Sequence, residues 1–167
     1  MNDPVLSRRS IRSYKDREID KEAMEYILTA GDAAACARGK RSWHFIVIQD
    51  RELLDRIPLF HPYSKMIREA PAAVLVCALP SVESDEGYRV QNCSAATQNM
   101  LIAANLKGIG SVWLGVYPNS ERMEGMKELL GLSDEKVPFS LIVLGHPNEE
   151  KSPYTHYDPK RVSFVGP

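Results

Sequence analysis

Several features that would indicate a particular class of protein are absent from this sequence of 167 residues. Its three cysteines, Cys36, Cys77 and Cys93, are odd in number and far apart, so they indicate neither a disulfide framework nor a zinc site. Each is most simply a small buried apolar residue. The longest apolar run, Ala72 to Leu79, is far too short to cross a bilayer, so no membrane protein is expected.

The sequence also has no excess of charge of either sign. Its formal net charge is -1, which gives no support to general electrostatic binding of nucleic acid. The first residues, M-N-D-P-V-L-S-R-R, contain no apolar stretch typical of a signal peptide. The length predicts one domain over residues 1–167, and the cysteine usage favours a reducing cytoplasm.

Familiar catalytic motifs are missing as well. No Gly-x-Ser-x-Gly elbow is present, which argues against a serine hydrolase. Gly108 and Gly110 follow a predicted helix and precede a strand, and the third glycine position is Trp113. A dinucleotide-binding loop needs the opposite order of elements, so that motif is excluded.

The four histidines form no metal-binding or catalytic pattern. His44 lies beside Trp43 in a predicted strand, which is more typical of a structural histidine than of a catalytic one. His61, His146 and His156 are scattered on loops. Because no acid, base or nucleophile constellation is evident, an enzyme of this sequence would rely on a bound cofactor for its chemistry.

The pattern of apolar residues predicts a mixture of helices and strands. Asp20 can cap the first helix, and Gly108 and Gly131 can end two later ones. From His146 onward the chain is a polar, proline-rich tail. Helices are predicted over residues 20–35, 51–57, 63–70, 88–107 and 120–130, and strands over 43–49, 72–79, 111–116 and 137–145.

The long helix has two apolar rows. One consists of Ala96, Met100, Leu101 and Ala104, and the other of Ala95, Ile102 and Leu106. A helix with two apolar sides is expected to be buried on both. The second row would pack either in the core of a monomer or at a dimer interface.

Two segments are unusually basic. The first, R-R-S-I-R-S-Y over residues 8–14, contains three guanidinium groups and two hydroxyls, which suit an anion because Arg binds phosphate in a bidentate way. The second, R-G-K-R over residues 38–41, lies between a helix and a strand and could form an electropositive wall. Either segment could instead be a solvated basic surface.

Six segments in order resemble the nitroreductase family of flavin-dependent oxidoreductases. They are R-R-S-I-R-S-Y (8–14), W-H-F-I-V-I (43–48), H-P-Y-S-K-M-I-R-E-A-P (61–71), C-S-A-A-T-Q-N-M-L-I-A-A-N-L-K-G-I-G-S-V-W-L-G-V-Y-P (93–118), V-P-F-S-L-I-V-L-G-H-P (137–147) and Y-D-P-K-R-V (157–162). The resemblance covers nearly the whole chain and implies an α+β fold with a central, mostly antiparallel sheet flanked by helices. It also implies an intertwined homodimer with FMN at the subunit interface.

The resemblance assigns the first basic segment to the cofactor. Arg8 and Ser10 match phosphate and ribityl contacts, with Arg9 as an additional contact. Arg12 matches the basic residue beside the flavin pyrimidine, where positive charge would favour the anionic reduced flavin. Either Arg161 or Lys160 matches a tail residue that returns to the phosphate.

Other matches are to the flavin ring and to the second subunit. Leu114 and Gly115 match a turn whose backbone N–H groups approach flavin N5, and Tyr63 and Lys65 lie in a region that contributes in relatives. A loop predicted to reach the flavin of the other subunit contains Ala35, Cys36, Ala37 and Gly39. In that loop Gly39 replaces a usual Asn, and Arg41-Ser42 replaces a usual Gln-Pro. The added charge suggests an acidic acceptor or the phosphate of NADPH.

The implied function is that of an NAD(P)H-dependent FMN oxidoreductase working by a ping-pong mechanism. It would reduce a small-molecule acceptor of the nitroaromatic or quinone type, with flavin N5 and no catalytic side chain or metal carrying the chemistry. Two alternatives stay open from the sequence. One is a flavin-binding or storage protein without efficient turnover, and the other is a family member with a different reductive reaction, such as dehalogenation.

Overall fold

The computed structural model describes residues 3–153 and 157–166, and these contain five α-helices around four β-strands. The helices are α1 (Pro4–Ser7), α2 (Lys21–Asp32), α3 (Arg51–Arg56), α4 (Glu86–Leu106) and α5 (Ser120–Leu130). The strands are β1 (Trp43–Ile48), β2 (Ala72–Ala78), β3 (Gly110–Gly115) and β4 (Val137–Gly145). In the described ranges, no helix is both long and apolar enough to span a membrane.

The strands form one antiparallel sheet in the order β1-β2-β4-β3. The central strands β2 and β4 are buried on both faces, which explains why β2 is a continuous apolar run and why β4 is apolar except for the buried Ser140. One core packs α2 and α4 against the first face, and a second core packs α3, α5 and the segment around Ile11 against the other. The expected α+β fold with a mostly antiparallel sheet is confirmed.

Helix α4 is buried along only one of its two apolar rows. Ala96, Met100, Leu101 and Ala104 are in the core. In the second row Ala95 and Ile102 are half-buried, and Leu106 is exposed. Among the described residues, no element of the same chain covers the second row completely, so the alternative of a monomer core is not met, and burial of this row at a dimer interface stays a prediction.

Three predicted helical features differ in the structure. Helix α2 ends at Asp32 rather than near residue 35, since Cys36 is already extended. The helix predicted over 63–70 is only a 3-10 turn, Lys65–Arg68, because the segment is short and Pro71 disfavours a helical conformation at Ala70. The short helix α1 was not predicted, although Asp3 followed by proline is a typical helix start and the Asp3 side chain caps it.

The strands agree more closely with prediction, with one consequence for the site. Leu114 and Gly115, expected in a turn, are the last two residues of β3 and pair with Leu141 and Ser140. The expectation of a turn is therefore wrong, and their backbone is held in a sheet. Cys77 and Cys93 are buried and Cys36 is half-buried, all as free thiols.

Candidate functional site

Residues 8–14, called here the basic strip, run along the outer edge of β3. Ser10 forms a parallel bridge with Ser111, and the Ile11 N–H donates to the Ser111 carbonyl at 2.9 Å. Gly110 permits this approach, since a Cβ there would lie 2.9 Å from Ile11 Cγ2. The edge strand thus fixes where the strip's basic side chains lie.

The first part of the tail holds the strip from the other side. Glu149 accepts a hydrogen bond from the Arg12 N–H and lies 3.0 Å from Lys151 Nζ. These two contacts, the Arg12 N–H first, lower the pKa of Glu149, so its carboxylate is charged at neutral pH. Lys151 Nζ also donates to the Ser10 carbonyl at 2.8 Å, and Arg9 Nη1 donates to the Ser152 carbonyl. The strip is therefore held in place by hydrogen bonds on both sides, with Arg8 and Arg9 half-buried and Arg12 exposed.

A small cavity of about 160 Å³ opens at the start of β3, and we call it the Arg8 cavity. Three cationic side chains, Arg8, Arg9 and Lys151, line it together with the single carboxylate of Glu149. A net positive cavity bordered by guanidinium groups is suited to a phosphate. Its other lining residues are Ser7, Ile11, Asn105, Gly108, Ile109, Gly110, Ser111 and Pro147.

A larger cavity of about 500 Å³ lies at the other end of β3, and we call it the Tyr63 cavity. It brings together five residues that sequence comparison had assigned to the flavin: Arg12, Tyr63, Lys65, Leu114 and Gly115. The remaining lining residues are His61, Pro62, Met66, Trp113 and Arg122. Among the described residues that line this cavity there are three cations and no Asp or Glu, so it favours an anionic or electron-rich aromatic ligand.

The two cavities are joined by β3 and the basic strip. At about 3.4 Å per residue, the strand from Gly110 to Gly115 spans about 17 Å. An elongated ligand with an anionic end and a planar end would therefore lie along this strand. Gly115 is exposed in the Tyr63 cavity, and a Cβ at this position would have no other atom within 4 Å. Bare backbone is thus open to a ligand there.

Sequence reasoning missed two residues of this site, His61 and Arg122. His61 is 1% exposed, and its Nε2 lies 3.0 Å from the Gly115 carbonyl oxygen. Arg122 Nη1 donates to the same oxygen at 2.9 Å, and the guanidinium lies over the Tyr63 ring at 5.3 Å from its centroid. No local motif marks either residue, because the contacts join segments far apart in sequence.

The protonation of His61 should make the protein less stable in acid. Burial lowers the pKa of His61 below its ordinary value of 6.5, so the folded state binds the proton less readily than the unfolded state. This stabilisation is complete above pH 6.5 and is lost as the pH falls through that value, by at most about 1.4 kcal/mol per pH unit. Chemical denaturation between about pH 7.5 and 5 measures it. His61→Gln should remove this part of the slope, and an unchanged slope would refute the assignment.

The second basic segment lies apart from both cavities, and its charges have partners. Arg38 and Lys40 reach the buried Glu83 carboxylate at 3.5 and 3.2 Å, and Arg41 lies 3.9 Å from Asp32. The Asp85 N–H first, and then the Lys40 and Arg38 charges, lower the pKa of Glu83. Each cation of the segment therefore has an acidic partner within the chain, although the Arg38 and Arg41 side chains are 58% and 66% exposed.

These ion pairs change what is expected of NADPH recognition. Because Arg38 is paired with the buried Glu83 carboxylate, Arg38→Ala should alter the ratio of kcat/KM for NADPH and NADH by less than about twofold, the equivalent of roughly 0.4 kcal/mol. Steady-state kinetics with both nicotinamides measure the ratio. A large loss of NADPH preference would restore the hypothesis drawn from the sequence.

The remaining predicted contacts are not brought to either cavity within one chain. Ala35, Cys36, Ala37 and Gly39 follow α2, where the Ala37 N–H donates to Asn92 Oδ1 at 2.8 Å. Lys160 and Arg161 are exposed in the tail, with Arg161 Nε 3.6 Å from Asp158 Oδ2. Their predicted roles at the flavin of another subunit and at the phosphate stay predictions. His156 lies outside the described residues.

Comparison with known proteins gives a consistent result. The sequence model described as "Nitroreductase family" matches residues 5–61 and 58–146. A protein of Archaeoglobus fulgidus, provisionally named NADH dehydrogenase/NAD(P)H nitroreductase, is 45% identical over 162 residues, which cover 95% of this chain and 93% of the relative.

Solved structures of similar chains agree with the fold. A crystal structure from Parabacteroides distasonis, with the same provisional name, superposes with a TM-score of 0.93 at 36% identity. The superposition covers 98% of this chain and 96% of the crystallised chain. A provisionally named nitroreductase of Desulfovibrio desulfuricans, solved in complex with FMN, superposes with a TM-score of 0.85 at 29% identity over 100% of both chains.

Proposed function

Since the chain belongs to the nitroreductase family, we propose that it is an FMN-dependent oxidoreductase that uses NAD(P)H. The observation that carries the proposal is the pair of cavities at the two ends of β3, one bordered by Arg8 and the other by cations and aromatic rings. We further propose nitroaromatic or quinone-type compounds as its acceptors. Donor and acceptor would use the same cavity in turn, which is a ping-pong mechanism.

The residues of the two cavities are suited to FMN. Arg8 would hold the phosphate through charge-assisted hydrogen bonds, with Arg9 beside it, whereas Ser10, the residue between Arg9 and Ile11, does not line this cavity. Tyr63 and Trp113 offer aromatic surface to a planar ring, and the exposed backbone at Gly115 leaves room for it. When bound, FMN would supply the redox chemistry by accepting a hydride from NAD(P)H and passing two electrons to the acceptor.

The side chains of the protein bind and orient the ligands of the Tyr63 cavity and polarise them. Arg12, Lys65 and Arg122 place three positive charges around the Tyr63 cavity, which stabilise negative charge that develops on a ligand there. Trp113, Leu114 and Met66 contribute apolar surface that excludes water and strengthens these interactions. No side chain of the cavity needs to act as a nucleophile.

We also propose a homodimer, whose interface includes the second apolar row of α4. Leu106 is exposed at the end of this row, and the neighbouring α1 exposes Val5 and Leu6. Asn105 joins the two helices by donating to the Pro4 carbonyl at 3.0 Å, so these apolar side chains form one patch. Sedimentation measures the mass. A monomer at micromolar concentration would contradict this part of the proposal.

A spectroscopic experiment tests the function. The purified protein should be yellow, and anaerobic NADH or NADPH should bleach the flavin absorption, which then returns when a nitro compound or quinone is added. A yellow protein that neither nicotinamide bleaches would instead be a flavin-binding or storage protein. Reoxidation only by a halogenated aromatic would favour dehalogenation. A colourless protein without affinity for FMN would refute the whole proposal.

A further inference from the structure

The peptide unit that follows Gly115 is held at both of its ends. Its carbonyl oxygen accepts hydrogen bonds from His61 and Arg122, while its N–H, that of Val116, donates to the Phe139 carbonyl at 3.2 Å. In an antiparallel strand the N–H and C=O of one residue point to the same edge. The Gly115 N–H therefore also faces the open edge of β3, where the Tyr63 cavity lies.

His61 is built into this position as a donor. A carbonyl oxygen can only accept, so Nε2 carries the proton and Nδ1 has a free lone pair. That Nδ1 is buried and has no hydrogen-bond partner among the described residues, which is an unfavourable state for a polar atom. The backbone of His61 is also held, since the Ser64 N–H and Oγ donate to its carbonyl at 3.1 and 2.7 Å. The ring is thus placed for its single bond to Gly115.

Arg122 reaches the same carbonyl oxygen from a different element. It belongs to the first turn of α5, where its N–H donates to the capping Asn119 side chain at 3.0 Å. Its guanidinium lies over Tyr63, and the His61 ring meets the edge of the Tyr63 ring at a centroid distance of 6.5 Å. One carbonyl of an edge strand is therefore fixed by two donors that share an aromatic support.

We propose that His61 and Arg122 are positioning residues, which hold the Gly115 carbonyl so that the Gly115 N–H is fixed as a hydrogen-bond donor to the ring system of bound FMN. This inference rests on the proposed binding of FMN in the Tyr63 cavity. A donor fixed before binding loses no conformational freedom when the ligand arrives, so it contributes more to affinity than a mobile one. A hydrogen bond to the ring also differs in strength between oxidised and reduced FMN, because the ring gains electrons and protons on reduction.

Two variants of His61 separate positioning from simple packing. The amide nitrogen of glutamine reaches the place of Nε2, whereas that of asparagine reaches only the place of Nδ1. We expect His61→Asn to raise the Kd for FMN about tenfold, as for one lost hydrogen bond, and His61→Gln to restore it to within about twofold. The ratio of the Kd values for oxidised and reduced FMN should differ from the wild-type ratio in His61→Asn and equal it in His61→Gln. His44→Asn, on the exposed side of β1, is the control.

The second donor provides an independent test if the His61 variants do not fold. Arg122→Gln, at a half-buried surface position, should raise the Kd for FMN. It should also shift the ratio of the Kd values for oxidised and reduced FMN in the same direction as His61→Asn does. The thermal midpoint of the FMN-free protein reports any purely structural effect. If His61→Asn and Arg122→Gln change only that midpoint and leave both Kd values as in the wild type, the inference is wrong. If the wild type itself binds no FMN, the proposed function fails instead.

Discussion

Gly115→Val is expected to weaken FMN binding while leaving the fold as stable as the wild type or slightly more stable. A side chain at this position meets no other atom within 4 Å, so it extends into the Tyr63 cavity, where the planar ring of FMN is proposed to lie. Overpacking against a ligand costs about 1–3 kcal/mol, which corresponds to a loss of affinity of roughly fivefold to 150-fold. Replacing a glycine within a strand by a β-branched residue favours the folded state.

The measurement is a comparison of FMN affinity with thermal stability, and Gly145→Ala is the matched control. A Cβ at Gly145 would lie 2.8 Å from Tyr14 Cδ1 and 2.9 Å from Pro71 Cδ, so this variant should lose stability. Gly145 lies on β4 and does not line the Tyr63 cavity, so FMN affinity should be retained in the folded fraction. Wild-type FMN affinity in Gly115→Val would mean that the ring does not lie against Gly115.

Arg8→Ala should reduce the affinity for FMN by about tenfold to 150-fold, because a phosphate would lose a charge-assisted partner worth roughly 1.5–3 kcal/mol. Riboflavin lacks the phosphate, so its Kd should be the same in Arg8→Ala and in the wild type. The Kd of Arg8→Lys for FMN should lie between the values of the wild type and Arg8→Ala, since lysine supplies the charge without the bidentate geometry. Titration of the FMN-free protein with each flavin measures all of these values.

Arg17→Ala is the control for Arg8→Ala, because Arg17 is an exposed arginine that lines neither cavity. It removes the same charge from the same part of the chain. An equal loss of FMN affinity in both variants would indicate a general electrostatic effect. An equal loss of riboflavin and FMN affinity in Arg8→Ala would show that Arg8 does not act on the phosphate.

The sequence was a reliable guide where local chemistry dominates. A continuous apolar run predicted β2, a largely apolar segment predicted β4, and the glycines at 108 and 131 marked the ends of α4 and α5, where both adopt positive φ. The segment predicted as a helix over 63–70 forms i→i+3 hydrogen bonds instead, from the Ile67 N–H to Ser64 and from the Ala70 N–H to Ile67. It is short and ends at Pro71, and the spacing of apolar residues does not distinguish a 3-10 turn from one or two turns of α-helix.

In the candidate site, too, the sequence indicated some features and only the structure showed others. Arg8 and Arg12 could be singled out because cationic side chains so close together have few structural uses. The cluster of Arg38, Lys40 and Arg41 has the same composition, and only the structure pairs it with Glu83 and Asp32. Composition reports the charge of a segment but not the charge of the surface that it faces.

The sequence by itself therefore determined the family, the order of the strands and helices along the chain, and the basic strip, because each follows from residues close together in the chain. The tertiary structure alone decided that two separate cavities, lined by Arg8 and by Arg12, lie at the two ends of β3, and that His61 and Arg122 meet at the Gly115 carbonyl. The physical reason is that the meeting of distant segments is set by the packing of two cores on one sheet. No local pattern encodes which distant segment will lie beside a given residue.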